Sequence, residues 1–242
     1  MNLKAVLFDL GGTLIDFDDE GLFSGRKALH DFLVQKKYDV ILDRVVQISK
    51  EVWETYTIFA DKTMIEVEFQ ILMKSILYQL QIDDYANIEL IEEAIMKFYW
   101  PIIEGSYHLK GASKLLLKLQ ENGIKLGLVT DNESEFFHNG LLQKYDFEHF
   151  FDSIIVSYKL GIRKPHKTMF LKCLDTLNIK PSEAIFIGDK PIHDIRGAKN
   201  IGLQCIWMKR RAYDDVPIKP DWTVESIKQI EEILFTELLK TT

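Results

Sequence analysis

Lys4-Ala5-Val6-Leu7-Phe8-Asp9-Leu10-Gly11-Gly12-Thr13-Leu14 decides the fold. The stretch 4–8, apolar without a break from Ala5 on, reads as a strand buried on both faces, as in a parallel sheet covered by helices. A carboxylate, Asp9, ends it, and Gly11-Gly12 then lets the chain turn sharply.

Outward from that stretch the pattern changes twice. Between about 16 and 100 the apolar residues recur at helical spacing over 26–36, 42–60, 65–80 and 89–99, with no strand signal between them. Phe69, Leu72, Met73, Ile76, Leu77 and Leu80 share one such stripe. Trp53, Tyr56, Phe59 and Phe69 are read as packing residues of this helical module. After Pro101 strands and helices alternate. Strands are expected at 124–130, 153–157, 184–187, 204–208 and 222–224, and helices at 111–122, within 141–150, from 165 onward and at 192–200. Strands separated by helices of this length imply crossover connections and a parallel sheet. The expected architecture is α/β: a Rossmann-like core of residues 1–15 and 101–242, with a helical cap over 16–100 inserted into it.

Bulk properties narrow the function. The chain has 242 residues, 47% of them apolar, enough for a buried core with an inserted module. A net charge of -7 repels nucleic acid and anionic membranes, so neither is expected as a partner, while a small anion needs only one local cationic pocket. Cys173 and Cys205 read as buried, reduced thiols. The first apolar run is too short for a secretory signal, and no segment reads as membrane-spanning, so a cytoplasmic enzyme is expected. The apolar cap stripes suit a monomer or a homodimer equally.

In an open parallel sheet, ligands bind beyond the carboxyl ends of the strands. Asp9, Thr130 and Asp189 each follow or end an apolar strand, Lys164 stands a few residues past another, and Asp194 is near Asp189. Carboxylates of this kind hold Mg²⁺, and an ammonium, a hydroxyl and the amides of a Gly11-Gly12 turn can hold phosphate oxygens. A carboxylate left partly free can attack phosphorus. The set fits phosphoryl transfer from a small phosphorylated metabolite.

Four segments in order resemble the motifs of the haloacid dehalogenase superfamily, most of whose members are phosphatases. They are Phe8-Asp9-Leu10-Gly11-Gly12-Thr13-Leu14, then Leu128-Val129-Thr130-Asp131-Asn132, then Arg163-Lys164-Pro165, and last Gly188-Asp189 with Asp194. The resemblance spans nearly the whole chain, and the helical block matches a cap inserted between the first two motifs. It implies Asp9 as nucleophile and metal ligand, with the Gly11 carbonyl, Asp189 and Asp194 completing a Mg²⁺ site. Asp194 could instead bond its own loop and reach the metal through water. It implies Thr130 and Lys164 as phosphate holders, Asn132 as a pocket residue, and the cap as the part that selects substrate.

One position departs from the family. Most phosphatases of the family carry a second Asp two residues after the nucleophile, where this chain has Gly11. A positioned acid–base group contributes roughly 10²–10⁴-fold. Asp16 and Asp18 are the nearest carboxylates in sequence, and both read more simply as residues leading into the cap. Either a substitute acid acts, or the substrate has a good leaving group, such as an acyl phosphate, an aryl phosphate or a sugar 1-phosphate. The remaining possibility is a catalytically weak phosphate-binding or regulatory protein. Dehalogenase and phosphonate-hydrolase readings stand behind these: Gly188-Asp189 argues against the first, and no cap lysine is marked for the second. His193 and the Lys209-Arg210-Arg211 run are read as solvated.

Overall fold

Continuous apolar character demands cover on both faces, and all four residues of β1 (Ala5–Phe8) are buried. The computed structural model describes residues 2–17, 19–213 and 218–239. After β1 come β2 (Ile15–Asp16) and the helices α1 (Asp19–Gln35), α2 (Leu42–Thr63), α3 (Phe69–Gln79) and α4 (Ile88–Gly105). Alternation follows: β3 (Tyr107–His108), α5 (Ala112–Glu121), β4 (Lys125–Thr130), α6 (Glu135–Tyr145), β5 (Ser153–Val156), α7 (Ser157–Leu160) and α8 (Lys167–Leu177). The chain ends with β6 (Ala184–Gly188), a π-helical turn over Pro191–Ile195 running into α9 (Arg196–Lys199), β7 (Gln204–Met208), β8 (Trp222–Val224) and α10 (Ile227–Ile233).

The main sheet has the order β5-β4-β1-β6-β7-β8, parallel throughout. β1 lies inside it, with Phe8 opposite Leu128 of β4 and Ile187 of β6. Neighbouring strands are about 4.8 Å apart. The chain segments leaving β1, β4 and β6 therefore emerge side by side on one edge. Met169, Phe170, Cys173 and Leu177 of α8 cover one face of this sheet together with Leu7, Phe186 and Cys205. Both cysteines are free and buried. Burial pushes the Cys173 thiol up to about 12 and the Cys205 thiol up to about 11, which leaves two inert thiols.

Two compact units result: Met1–Asp16, Tyr107–Asp131 and Tyr145–Thr242 form unit 1, and Phe17–Ser106 with Asn132–Lys144 form unit 2. These limits differ from those drawn on sequence, 1–15 with 101–242 against 16–100. Residues 132–144 join the helical unit because α6 packs backbone-close to the end of α4: a Cβ on Gly140 would lie 2.6 Å from Ile103 Cδ1. Lys144 Nζ also donates to the carbonyls of Ile103, Glu104 and Ser106 at 2.7–2.8 Å.

Several helix limits also move. Pro101 does not end α4, which continues to Gly105. An internal proline costs about 3 kcal/mol, but Phe98, Tyr99, Ile102 and Ile103 are all buried around it, at roughly 1.5–3 kcal/mol each. The helix expected from 65 starts only at Phe69, because Glu66 is buried and accepts from Tyr56 Oη, and Phe69 N donates to Glu133 O at 2.8 Å. Tyr56 and Phe69 are core residues as expected, whereas Trp53 and Phe59 are exposed. Trp53 still packs edge-on to Phe69, with ring centroids 6.5 Å apart. Among the described residues no helix is long and apolar enough to cross a membrane.

Candidate active site

The turn after β1 is built from backbone hydrogen bonds. Leu14 N and Ile15 N both donate to Leu10 O, at 2.9 and 3.0 Å, and Gly12 N donates to Ile15 O at 2.7 Å. Gly12 sits at φ +82°, and a Cβ there would lie 2.4 Å from Asp189 Oδ2. A side chain at 12 would thus be both strained and in collision with the acidic residue that follows β6. Gly188 plays a matching part, since a Cβ on it would fall 2.5 Å from Asp194 Cγ. The two glycines let backbone and carboxylates crowd into one space.

Four of the residues singled out on sequence meet there. Lys164 Nζ donates to Asp9 Oδ1 at 2.6 Å and to Asp194 Oδ1 at 2.7 Å. Asp9, Asp189 and Asp194 each offer a carboxylate oxygen within 4.8 Å of the others. All four side chains are buried. Asp194 Oδ2 accepts from Lys190 N at 2.9 Å, so both its oxygens are engaged by its own surroundings. Thr13 Oγ1 stands 3.4 Å from Asp9 Oδ2. Trp207 Nε1 donates to Asp189 O at 2.8 Å and fixes the backbone at that point.

The electrostatics are unbalanced. Desolvation raises the Asp9 carboxyl, Lys164 draws it back down, and Asp194 raises it again. Asp189 is pushed up to about 7, first by burial and then by Asp9 and Asp194. Lys164 moves up although burial alone would lower it, because Asp194, Asp9 and Asp131 all surround its charge. One ammonium, firmly protonated, does not offset three buried carboxylates. Asp189 Oδ1 is also buried with no hydrogen-bond partner. An orphan carboxylate oxygen inside an over-negative cluster of hard oxygen donors fits a divalent cation of the Mg²⁺ type.

Thr130 is buried at the end of β4, on the strand beside β1. Asn132 belongs to unit 2, where its Oδ1 accepts from Ser134 N at 3.0 Å at the head of α6. Gly11 pairs with Ile15 in an isolated bridge, and its φ lies outside the left-handed region. Asp16 is buried and faces Arg210 at 2.8 Å and Arg211 at 3.6 Å. The basic run 209–211 is therefore not simply solvated: Arg210 is committed to this pair. Asp18 lies outside the described residues.

Asp131 carries a role its neighbours in sequence do not advertise. Its Oδ1 accepts from Lys164 N at 2.9 Å, and its Oδ2 faces His193 Nδ1 at 3.6 Å and Arg163 Nε at 3.8 Å. The nearby Lys164 ammonium, then the contacts with His193 and Arg163, outweigh its burial and hold its carboxyl at about 2. A second acid beside a phosphate site would repel the anion, and here it is turned instead into the loop that presents Lys164. His193, read as solvated, is mostly buried against this carboxylate. Arg163 inside the third motif and His193 inside the fourth were the available signals.

Comparison with known proteins identifies the family. A profile of haloacid dehalogenase-like hydrolases matches residues 3–202. A glyceraldehyde 3-phosphate phosphatase from Pyrococcus furiosus is 24% identical over 97% of this chain and 94% of its own. Pyrophosphatase PpaX from Bacillus thuringiensis is 29% identical over 97% of each chain. A Bacillus subtilis HAD-hydrolase solved bound to magnesium superposes with a TM-score of 0.66 at 21% identity, over 97% of this chain and all of its own (100%). The fold, the ordered motifs and the profile together make this chain a member of the haloacid dehalogenase-like hydrolase family.

Proposed function

We propose that this enzyme hydrolyses small phosphorylated metabolites through an aspartyl phosphate on Asp9, with Mg²⁺ as cofactor. One observation carries the reading: Lys164 bridges Asp9 and Asp194 while Asp189, with an orphan oxygen, closes the cluster. The relatives' names support phosphate chemistry over the weak-binder alternative, which no observation favours. Those names span two chemical classes, an alkyl phosphate ester and a phosphoanhydride.

In this reading Asp9, the Gly11 carbonyl, Asp189 and Asp194 hold the cation. Bound there, Mg²⁺ supplies positive charge against the equatorial phosphate oxygens. Asp194, with one oxygen on Lys164 and the other on Lys190 N, also orients its neighbours and would reach the cation directly or through water. Lys164 uses two of its three donors on Asp9 and Asp194 and keeps one for a phosphate oxygen. Thr130 and the amides of the Gly11-Gly12 turn hold other oxygens. An Asp9 carboxylate oxygen attacks phosphorus as the leaving group departs in line, and water then attacks the aspartyl phosphate and restores Asp9. Phosphate release assayed with and without Mg²⁺, in the wild type and Asp9→Asn, tests this. Turnover that needs Mg²⁺ and disappears in Asp9→Asn is expected; turnover surviving either change contradicts the proposal.

A further inference from the structure

We infer that this site expels leaving groups that need no proton, so that its substrates are phosphoanhydrides, acyl phosphates or aryl phosphates rather than alkyl phosphate esters. The inference rests on the aspartyl-phosphate reading above and narrows its substrate class.

The position two residues past the nucleophile is Gly11, which offers no side chain. Among the described residues of unit 1, the carboxylates that stand near Asp9 are committed elsewhere. Asp16 faces two guanidinium groups, at 2.8 and 3.6 Å. Asp131 gives one oxygen to Lys164 N and turns the other to Arg163 and His193. Asp194 gives its oxygens to Lys164 Nζ and Lys190 N. Asp189 is the cluster's cation ligand. Thr13 approaches Asp9 with a hydroxyl, which is a hydrogen-bond donor and not an acid.

The consequence can be followed bond by bond. An Asp9 oxygen forms a bond to phosphorus while the phosphorus–oxygen bond to the leaving group breaks. The electron pair departs on that oxygen, which leaves as an anion and takes a proton from water afterwards. Phosphate, carboxylate and phenolate tolerate this; an alkoxide does not. In the second step a water oxygen bonds to phosphorus, the bond to Asp9 breaks, its electron pair returns to the carboxylate, and the water proton passes to the released phosphate. Without a side-chain base at position 11 this second step is slow, so the aspartyl phosphate accumulates when the leaving group is good.

Stopped-flow and steady-state kinetics of the full wild-type chain with Mg²⁺ test the inference. The probes are a series of aryl phosphates of decreasing leaving-group basicity, together with acetyl phosphate, pyrophosphate and glycerol phosphate. The expected result is a kcat/KM that rises steeply as leaving-group basicity falls. Glycerol phosphate should trail the best aryl phosphate by more than about 10²-fold, the least a positioned acid contributes. The best substrates should show a burst of leaving group before the steady state. In Gly11→Asp, glycerol phosphate should gain more than the aryl phosphates; if that variant does not fold, the wild-type slope decides alone. A flat kcat/KM across the series, with glycerol phosphate turned over as well as the rest, overturns the inference and leaves the phosphatase reading standing. No turnover of any probe removes both.

Discussion

Gly12→Ala is the sharpest structural perturbation the site permits. At φ +82° an alanine pays about 1–2 kcal/mol for the left-handed conformation. Its Cβ would also lie 2.4 Å from Asp189 Oδ2 and 2.6 Å from Asp189 Cγ, which forces the carboxylate aside. Overpacking of that kind costs typically about 1–3 kcal/mol. The sum is a loss of roughly 2–5 kcal/mol. Gly202→Ala separates the two parts, because Gly202 has the same φ of +82° and nothing within 4 Å of its would-be Cβ. That variant should lose only the conformational part. Urea denaturation of both variants gives the difference directly. A second readout tests the cation site: wild type should gain stability on adding Mg²⁺, by about 2.7 kcal/mol at a concentration 100 times the dissociation constant. Gly12→Ala should gain little, since Asp189, the proposed ligand, is displaced. If Gly12→Ala matches Gly202→Ala in stability and keeps its full response to Mg²⁺, then Asp189 is not packed against this turn and the geometry argued above is wrong.

Other variants probe the supports. Asp131→Ala leaves the buried Lys164 N–H without its acceptor and should cost about 1–3 kcal/mol, whereas Asp131→Asn keeps an acceptor and should cost less; equal losses by urea denaturation would count against the hydrogen bond. In the metal-free protein Asp189, raised from 3.8 to about 7, holds its proton where the unfolded chain has lost it, so its contribution to stability falls as pH rises from about 4 to about 7. Mg²⁺ must displace that proton, so stabilisation by Mg²⁺ should grow over the same interval and level off above it, and a response independent of pH would refute the assignment. Lys144→Met removes an ammonium that serves three carbonyls at the end of α4 and should lower stability by about 1–3 kcal/mol, read as a drop in Tm; an unchanged Tm would show the contact to be idle.

The sheet was legible because burial leaves a mark: a strand covered on both faces is apolar along most of its length, as 5–8, 126–129 and 184–187 all are. The Asp9, Lys164, Asp189 and Asp194 cluster could be anticipated for a related reason, since strand ends in a parallel sheet converge whatever lies between them in sequence. What stayed hidden depends on tertiary contacts that local patterns do not encode. Pro101 looks like a stop until the buried side chains around it are counted against the lost hydrogen bond. Residues 132–144 look like part of the core because they follow β4, yet Gly140 and Lys144 fasten them to the end of α4. Asp131 resembles a misplaced charge until its partners, Lys164 N, Arg163 and His193, are seen from 32 or more residues away along the chain. The pair of Asp16 with Arg210, from opposite ends of the sequence, is equally silent in either segment alone.

The account stands on Asp9 becoming phosphorylated during turnover. Acid-quenched wild-type enzyme, caught during the burst with acetyl phosphate and Mg²⁺ and digested for mass spectrometry, should show a phosphoryl group on the peptide that carries Asp9. The Asp9→Asn protein should show none. Wild-type enzyme that turns substrate over while that peptide stays unmodified, or that carries the phosphoryl group on another residue, would contradict it.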